Sequence, residues 1–378
     1  MSKSVSLAVS LVSCVCVLAS AAQAQTVTTG WSQIPNTRLR GVCAAEHGFP
    51  QVAGTSGCDG ITSAWSGGAF DTKRNRLIIW GGGHNDYYGN EVYAVSLDTQ
   101  TIERLTDPGT PATSCIEAIA GGTQANARHT YDGIEYVASV DKLFVFGGSL
   151  ACSSGNFGRD TWLFNFATKQ WEKKTPSGPL PHAIPGILTA YDSVTGLVFL
   201  YDDVNLFSYD ANANRYTQLT TADQPIGYHM DATIDPVRRK FIIVGYDNIR
   251  AAGRVWSIDI GAGSAYKLTE VVTSGGGSLI GNSYPGVDYD PTSDRIVAWG
   301  ENTPNVVYSL DLDTRQWTSS TFSGGPVPSG NGTHGRWRYS PTSNAFVLAN
   351  RVDDNIYVAR LSAVATTRPN PPANVTAQ

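Results

Sequence analysis

The feature that most constrains the fold of this chain is a unit that occurs six times along it. Each unit begins with a polar turn in which Asp, Ser or Pro favours a tight reversal of the backbone. An apolar strand follows the turn, and then a glycine-rich or polar loop and an alternating strand. The turns are residues 71–76, 137–142, 192–196, 235–240, 290–295 and 340–345. Four antiparallel strands in a unit of about 50 residues are typical of a β-propeller blade.

The two ends of the repeat region predict how the ring of blades closes. The sixth unit lacks an outer strand after Leu361, whereas residues 30–34, ahead of the first unit, have the pattern of one. An N-terminal strand that completes the last blade would close the ring and protect its edges. We therefore predict an all-β fold, a single β-propeller of six four-stranded antiparallel blades. Seven blades are the alternative, if residues 42–63 contain strands.

The N-terminal segment has the pattern of an export signal. An apolar stretch follows a lysine at position 3, and Ala22-Gln23-Ala24 fits a small-x-small cleavage site. We expect a secreted or periplasmic protein; residues 11–14 also resemble a lipoprotein box, which is the less favoured alternative. The predicted division is a signal peptide at 1–24, the propeller at 25–364 and a Pro-rich tail or linker at 365–378.

Four cysteines remain once the signal peptide is removed, and an even number in an exported chain favours two disulfides. Three pairings are open. Local pairing is preferred, Cys43 with Cys58 and Cys115 with Cys152, because each bond would tie down a long loop. A metal site is the alternative, but the cysteines lack the close spacing that zinc ligands show.

Propeller topology predicts that residues scattered along the chain meet at one face. The loop that enters the innermost strand and the loop between the second and third strands open on the same side of the central channel. Five of the six histidines fall in those loops, and aromatic residues occupy equivalent positions in several units. The candidate site residues on this rim are His84, His129, His182, His229, His334, Trp65, Tyr88, Tyr131, Tyr246, Tyr284 and Asn85.

Arginines are expected at the same rim. Arg159, Arg250 and Arg351 lie in or beside the loops between second and third strands, and Arg128 and Arg336 adjoin two of the histidines. Each alone would normally form an ion pair at the surface. Together they predict an anion-binding cup that suits an acidic ligand.

This set of side chains suits proton abstraction beside the carboxylate of a uronic acid. A His or Tyr base removes the C5 proton, Arg or Asn neutralises the carboxylate, and a Tyr or His protonates the leaving oxygen. Glycoside hydrolysis normally requires two flanking carboxylates, and no motif marks such a pair in this sequence. A nucleophile elbow of the serine hydrolases is also missing from the sequence.

Two segments carry a resemblance to known proteins. Gly147-Gly148, with Phe164 and Trp171 after it, resembles the kelch type of propeller. The segments Gly82-Gly83-His84-Asn85-Asp86 and Arg128-His129-Thr130-Tyr131 look like the secreted β-propeller polysaccharide lyases, which include ulvan lyases and rhamnosyl-glucuronate lyases. The resemblance implies His84 as base or acid, His129 as its partner, Arg159 as the carboxylate clamp, and Tyr131, Tyr246 and Tyr88 as candidate acids.

We therefore expect a polysaccharide lyase that cleaves a uronic-acid-containing polysaccharide by β-elimination. The alternatives are a non-catalytic carbohydrate- or protein-binding propeller, and a secreted oxidase or glycoside hydrolase. The expected partner is an acidic polysaccharide or oligosaccharide, bound by a monomer without a membrane span. The net charge of −5 argues against nucleic acid. No cofactor is expected with certainty; calcium is considered at Asp288, Asp290, Asp311 and Asp313, although turn roles suit these residues better.

Overall fold

The structure is a computed structural model that describes residues 28–112, 114–220, 225–281, 284–300 and 304–362. Its fold is carried by one compact unit, Thr29–Leu361. A second unit comprises Met1–Thr28 and Ser362–Gln378 and lies almost entirely outside the described residues. The predicted signal peptide and the predicted tail fall there as well.

The predicted β-propeller is confirmed, with six antiparallel sheets of four strands in the described part of the chain. In each sheet the chain runs from an innermost strand to an outer one. The strands are, in blade 1, Gly68–Asp71, Arg76–Ile79, Tyr93–Ser96 and Thr101–Arg104; in blade 2, Ile134–Val137, Lys142–Phe146, Thr161–Asn165 and Gln170–Lys174; in blade 3, Leu188–Asp192, Leu197–Tyr201, Leu206–Asp210 and Arg215–Gln218; in blade 4, Met230–Asp235, Lys240–Asp247, Ala252–Asp259 and Leu268–Glu270; and in blade 5, Gly286–Asp290, Arg295–Trp299, Val306–Asp311 and Gln316–Thr321.

Blade 6 joins the two ends of the fold. Its first three strands are Trp337–Ser340, Ala345–Leu348 and Ile356–Arg360, and its outer strand is Gly30–Ile34. That strand pairs antiparallel with the third, with Gly30 opposite Arg360 and Ile34 opposite Ile356. The prediction that an N-terminal strand closes the ring is therefore confirmed, and closure protects the edges of the sheet.

Two insertions extend the blades: residues 42–63 ahead of blade 1, and residues 147–160 between the second and third strands of blade 2. Residues 42–63 form short helices rather than strands, so the alternative of a seventh blade there is wrong. The preferred disulfides are both confirmed: Cys43–Cys58 lies within the first insertion, and Cys115–Cys152 joins the connection between blades 1 and 2 to the second insertion. The helical segments of the described chain are Leu39–Val42, Ala44–Glu46, Pro50–Val52, Gly57–Asp59, Gly60–Ser63, Ala120–Gly122, Gly277–Ile280 and His334–Arg336; the short extra strands are Ala118–Ile119 paired with Gln124–Ala125, and Arg128–His129 paired with Ser149–Leu150.

The repeated turns at the ends of the innermost strands hold the blades to one another. Asp235 accepts hydrogen bonds from backbone N–H groups of its own turn, and Arg238 in that turn forms ion pairs with Asp294 and Asp313 of blade 5. Asp290 and Asp311 likewise accept backbone N–H groups of their own turns, as the turn interpretation expects. The apolar core lies between the sheets, where buried side chains of neighbouring blades pack against one another. None of the described helices is long and apolar enough to cross a membrane.

Candidate functional site

One mouth of the central channel carries a continuous cluster of aromatic and imidazole rings. Most of its members lie just before an innermost strand, and neighbouring ring centroids are between 4.2 and 6.4 Å apart. Five rings form a closed cycle, in the order Tyr131, Tyr228, His229, Tyr284, His334 and back to Tyr131. We call the whole set the rim cluster: Trp65, His84, His129, Tyr131, Tyr228, His229, Tyr284 and His334.

The backbone is strained at an equivalent position in four blades of the rim cluster. The φ angles are 47° at Trp65, 48° at Tyr131, 59° at Tyr284 and 47° at His334. Bulky residues rarely adopt this left-handed conformation, and such strain persists only where the surroundings enforce it. Backbone hydrogen bonds between blades do so here: Tyr131 N–H donates to Trp65 O over 2.7 Å, and Tyr284 N–H donates to His229 O over 3.1 Å. Strain of this kind concentrates at functional sites.

His129 is oriented by a carboxylate. Its Nε2 lies 3.0 Å from Asp86 Oδ2, and Ser56 Oγ donates to the other Asp86 oxygen over 2.9 Å. The hydrogen bond with His129 is the main cause of a lowered pKa at Asp86, so this carboxylate stays ionised. An ionised partner holds the imidazole ring in place and favours a proton on Nε2, which leaves the lone pair on Nδ1. His129 itself is 3% exposed.

His84 lies next to His129, as the propeller topology predicts. Their ring centroids are 5.9 Å apart and the rings are perpendicular. Its backbone N–H donates to Leu150 O over 2.9 Å, which ties the loop of blade 1 to the insertion of blade 2. Gly155 packs against the ring so closely that a Cβ there would lie 2.3 Å from His84 Cδ2. The Cys115–Cys152 disulfide closes the segment that leads to this contact.

His229 and His334 are suited to act as neutral rings. Burial lowers the pKa of His229 to about 4. The pKa of His334 is held well below its usual value, first by burial and then by the charge of Arg336. Neither ring nitrogen of His334 has a well-formed hydrogen bond among the described residues, although the side chain is fully buried. Both imidazoles are therefore uncharged at neutral pH and contribute surface and hydrogen-bonding capacity.

A buried positive charge lies beneath the rim cluster. The guanidinium of Arg336 donates to the backbone carbonyls of Ser66 and Asn350 over 2.8 Å each, and also to those of Gly332 and Ala349. No described carboxylate forms an ion pair with it, and burial lowers its pKa to about 9. Arg336 is therefore still charged at neutral pH, and its positive potential favours an anionic ligand at this mouth.

The other predicted arginines are engaged by their own surroundings. Arg159 donates to the backbone carbonyls of Pro181 and Leu180, both over 2.8 Å. Arg250 pairs with Asp247, Arg351 donates to Pro328 O, and the buried Arg128 pairs with Asp160. These contacts hold loops together, so the positive charge under the rim cluster is that of Arg336. The sequence predicted Arg336 as one member of an anion-binding cup, beside His334, and did not distinguish it from the other arginines.

The remaining predicted residues lie outside the continuous ring contacts. Asn85 is exposed, and its Oδ1 accepts a hydrogen bond from Tyr88 Oη over 2.5 Å. Tyr246 is half-buried on the second strand of blade 4, opposite Gly253.

The exposed His182 of blade 3 lies beside two aspartates that could bind a metal ion with it. Nδ1 of His182 lies 3.4 Å from Asp202 and 3.8 Å from Asp203, and the three side chains together have the spacing of a metal site.

Sequence reasoning missed several members of this site. Tyr228 had a detectable signal, since it directly precedes His229 at the entry to an innermost strand. The role of Asp86 as the partner of His129 and the packing of Gly155 on His84 had none. Both depend on how inserted loops fold over the rim.

No family model matches this sequence. Among solved structures, the chain is similar to a protein of unknown function from Bacteroides thetaiotaomicron, with 9% sequence identity and a TM-score of 0.53. The similarity covers 88% of this chain and 76% of the other. At this identity the likeness concerns the fold alone, and it agrees with a β-propeller architecture.

Proposed function

We propose that this protein is a secreted lyase that cleaves a uronic-acid-containing polysaccharide by β-elimination at the rim cluster. The observation that carries the proposal is the placement of His84 beside His129, whose ring is held by Asp86, in a cluster whose His334 lies beside the buried charge of Arg336. The two disulfides fit an extracellular or periplasmic protein.

The reaction needs one group to take a proton and another to give one. One imidazole of the His84–His129 pair takes the C5 proton of the uronate, and the electrons of that C–H bond form the C4=C5 double bond as the C4–O bond breaks. Tyr131 then donates its proton to the leaving oxygen. Burial is the main cause of a raised pKa at Tyr131, so its hydroxyl keeps its proton at neutral pH and suits an acid rather than a base.

The charge that develops on the uronate carboxylate during proton abstraction needs stabilisation. Arg336 supplies a fixed positive potential next to His334, and none of the described carboxylates forms an ion pair with it. The rings of Trp65, Tyr228 and Tyr284 offer faces on which sugar rings stack. The site therefore combines proton transfer, charge stabilisation and sugar binding in one mouth.

The test is to incubate the purified protein with a panel of uronic-acid polysaccharides and to follow the ultraviolet absorbance of the unsaturated product. The matched variants are Asp86→Asn, which removes the partner of His129, and Asp107→Asn, which changes an exposed carboxylate of the same blade. We expect Asp86→Asn to lower kcat by about 10²-fold or more, and Asp107→Asn to leave it unchanged. New reducing ends without the unsaturated product would instead show a hydrolase.

A second candidate function is carbohydrate binding without chemistry. The observation that favours it is the neutral state of His229 and His334, which makes much of the rim cluster an uncharged stacking surface. Binding of a glycan that Trp65→Ala weakens, with no product even at high protein concentration, would support this candidate and refute the lyase.

A further inference from the structure

The central channel has a second mouth, at the opposite end of the innermost strands from the rim cluster. A cavity of about 330 Å³ opens there, and its wall includes the same strand position from all six blades. Five of these six residues are aromatic, which lines the cavity with ring carbon. They are Phe70, Tyr136, Tyr191, Ile234, Tyr289 and Tyr339.

The tyrosine hydroxyls are held away from the cavity. Tyr136 donates to Asp141 over 2.9 Å, and Tyr289 donates to Asp294 over 2.8 Å, in each case to a residue five positions later in the adjoining turn. Tyr339 follows the same pattern with Asn344. Because the polar ends are bound to the turns, the rings present their carbon surface and π-electrons to the cavity.

The floor of the cavity carries more carboxyl groups than basic groups. Glu135, Asp288 and Arg338 line it, and Asp132 and Asp231 lie behind them in the channel. The Arg338 guanidinium is 3.1 Å from Glu135 and 3.4 Å from Asp132. Among the described residues, four carboxyl groups therefore face one guanidinium in this cluster. Asp231 is fully buried, and its carboxyl group shares a hydrogen bond with that of Asp132.

Burial makes it costly for these carboxyl groups to ionise. Burial raises the pKa of Glu135 to about 7 and that of Asp231 to about 6. The pKa values of Asp132 and Asp288 are also raised, mainly by burial, although Arg338 acts in the opposite direction on both. A cation in the adjoining cavity would stabilise the ionised forms.

We propose that this cavity binds a small organic ammonium ion. The aromatic wall attracts a weakly hydrated cation through cation–π interactions, and the carboxyl groups of the floor supply the opposite charge. A bare metal ion needs a shell of oxygen ligands, and here the carboxyl groups of the floor face a wall of ring carbon. An anion would have Arg338 as its partner but would face the surplus carboxylates. The volume is at the small end of ligand cavities, which limits the ligand to one compact group.

The experiment is calorimetric titration of the whole protein with choline and with dimethylbutanol, the neutral isostere in which carbon replaces the ammonium nitrogen. We expect choline to bind roughly 10-fold more tightly than the isostere, because only the cation gains cation–π and charge interactions. Tyr191→Leu should weaken choline binding, whereas Tyr308→Leu, on the third strand of blade 5 outside the cavity, should not. Activity at the rim cluster should be unchanged in both variants.

Several outcomes would overturn the proposal. Equal affinity for choline and the isostere would show a purely apolar cavity, and binding of acetate in place of choline would show an anion site around Arg338. Choline binding that Tyr191→Leu leaves intact would place the ligand elsewhere. A Glu135→Gln variant, if it folds, should weaken choline binding by removing charge; if it does not fold, the comparison of the two tyrosine variants decides.

Discussion

The packing of Gly155 against His84 allows the role of this histidine to be tested without changing it. Gly155 has φ of +62°, and a Cβ added to it would lie 2.3 Å from His84 Cδ2 and 2.8 Å from His84 Cγ. Ordinary carbon contacts are about 3.5 Å or longer, so Gly155→Ala must displace the imidazole or the loop by about 1 Å. Misplacement of a catalytic group by that distance costs about 10²-fold in rate.

The chain offers a matched control in Gly121. It has φ of +69°, and a Cβ there would meet no atom within 4 Å. Alanine at either position has the cost of a left-handed backbone, about 1 kcal/mol of unfolding free energy. Only Gly155→Ala adds the collision with His84. The two variants therefore separate backbone strain from displacement of the imidazole.

The assay is lyase turnover on the best polysaccharide of the panel, with urea unfolding and the NMR signals of the imidazole protons measured on the same samples. We expect Gly155→Ala to lose about 10²-fold in kcat and to shift the signals of His84, while Gly121→Ala retains both. The reasoning is refuted if Gly155→Ala shifts the His84 signals and keeps full turnover. An equal loss of turnover in both variants would refute it as well.

Three further predictions concern stability. The pKa of Glu135 is raised to about 7, so its contribution to the free energy of unfolding is present below the unfolded pKa and is lost as pH rises. Between pH 5 and pH 8, the free energy of unfolding of Glu135→Gln in urea should therefore rise by about 2 kcal/mol relative to that of the wild type. A difference that does not change with pH would contradict this. The lowered pKa of His334 gives the opposite pH dependence, because a protein with a buried neutral imidazole becomes less stable as pH falls. From pH 7 to pH 5, the free energy of unfolding of His334→Phe should rise by about 2 kcal/mol relative to that of the wild type. An unchanged difference would show that this imidazole already binds a proton in the folded state. Replacing Cys115 and Cys152 by Ser opens a loop with a sequence separation of 37 and should cost about 4 kcal/mol, whereas a loss below about 1 kcal/mol in urea unfolding would mean that the loop is held without the bond.

Much of the fold was predictable because it follows from local patterns that repeat. Turn residues such as Asp235 and Asp290 bind their own backbone wherever they occur, and apolar strands after them must be buried. Ring closure by Gly30–Ile34 followed from a missing strand at one end and a spare strand at the other. The local disulfides agree with the preferred pairing, one of three that the sequence left open.

The meeting of His84 and His129 was predictable for a different reason. His84 lies in a loop between second and third strands, and His129 lies in a loop that enters an innermost strand. Both kinds of loop open on the same side of a propeller, so position within the repeat determines position in space. The equivalent aromatic positions before the innermost strands follow the same rule. Residues of the regular repeat could therefore be assigned to the rim from the sequence.

The contacts that turn these rings into a site depended on the tertiary structure. Asp86 and Gly155 lie in loops of irregular length, whose side-chain directions no periodicity encodes. Arg159 and Arg336 both looked like candidates for the positive charge, but only the packing showed that Arg159 binds loop carbonyls and that Arg336 lies buried beneath the rings. The sequence by itself determined the ring of blades and which loops share a face, because both follow from short-range patterns. The tertiary structure decided which charges meet and which are neutralised, because electrostatic partners are selected by distances between atoms far apart in the chain.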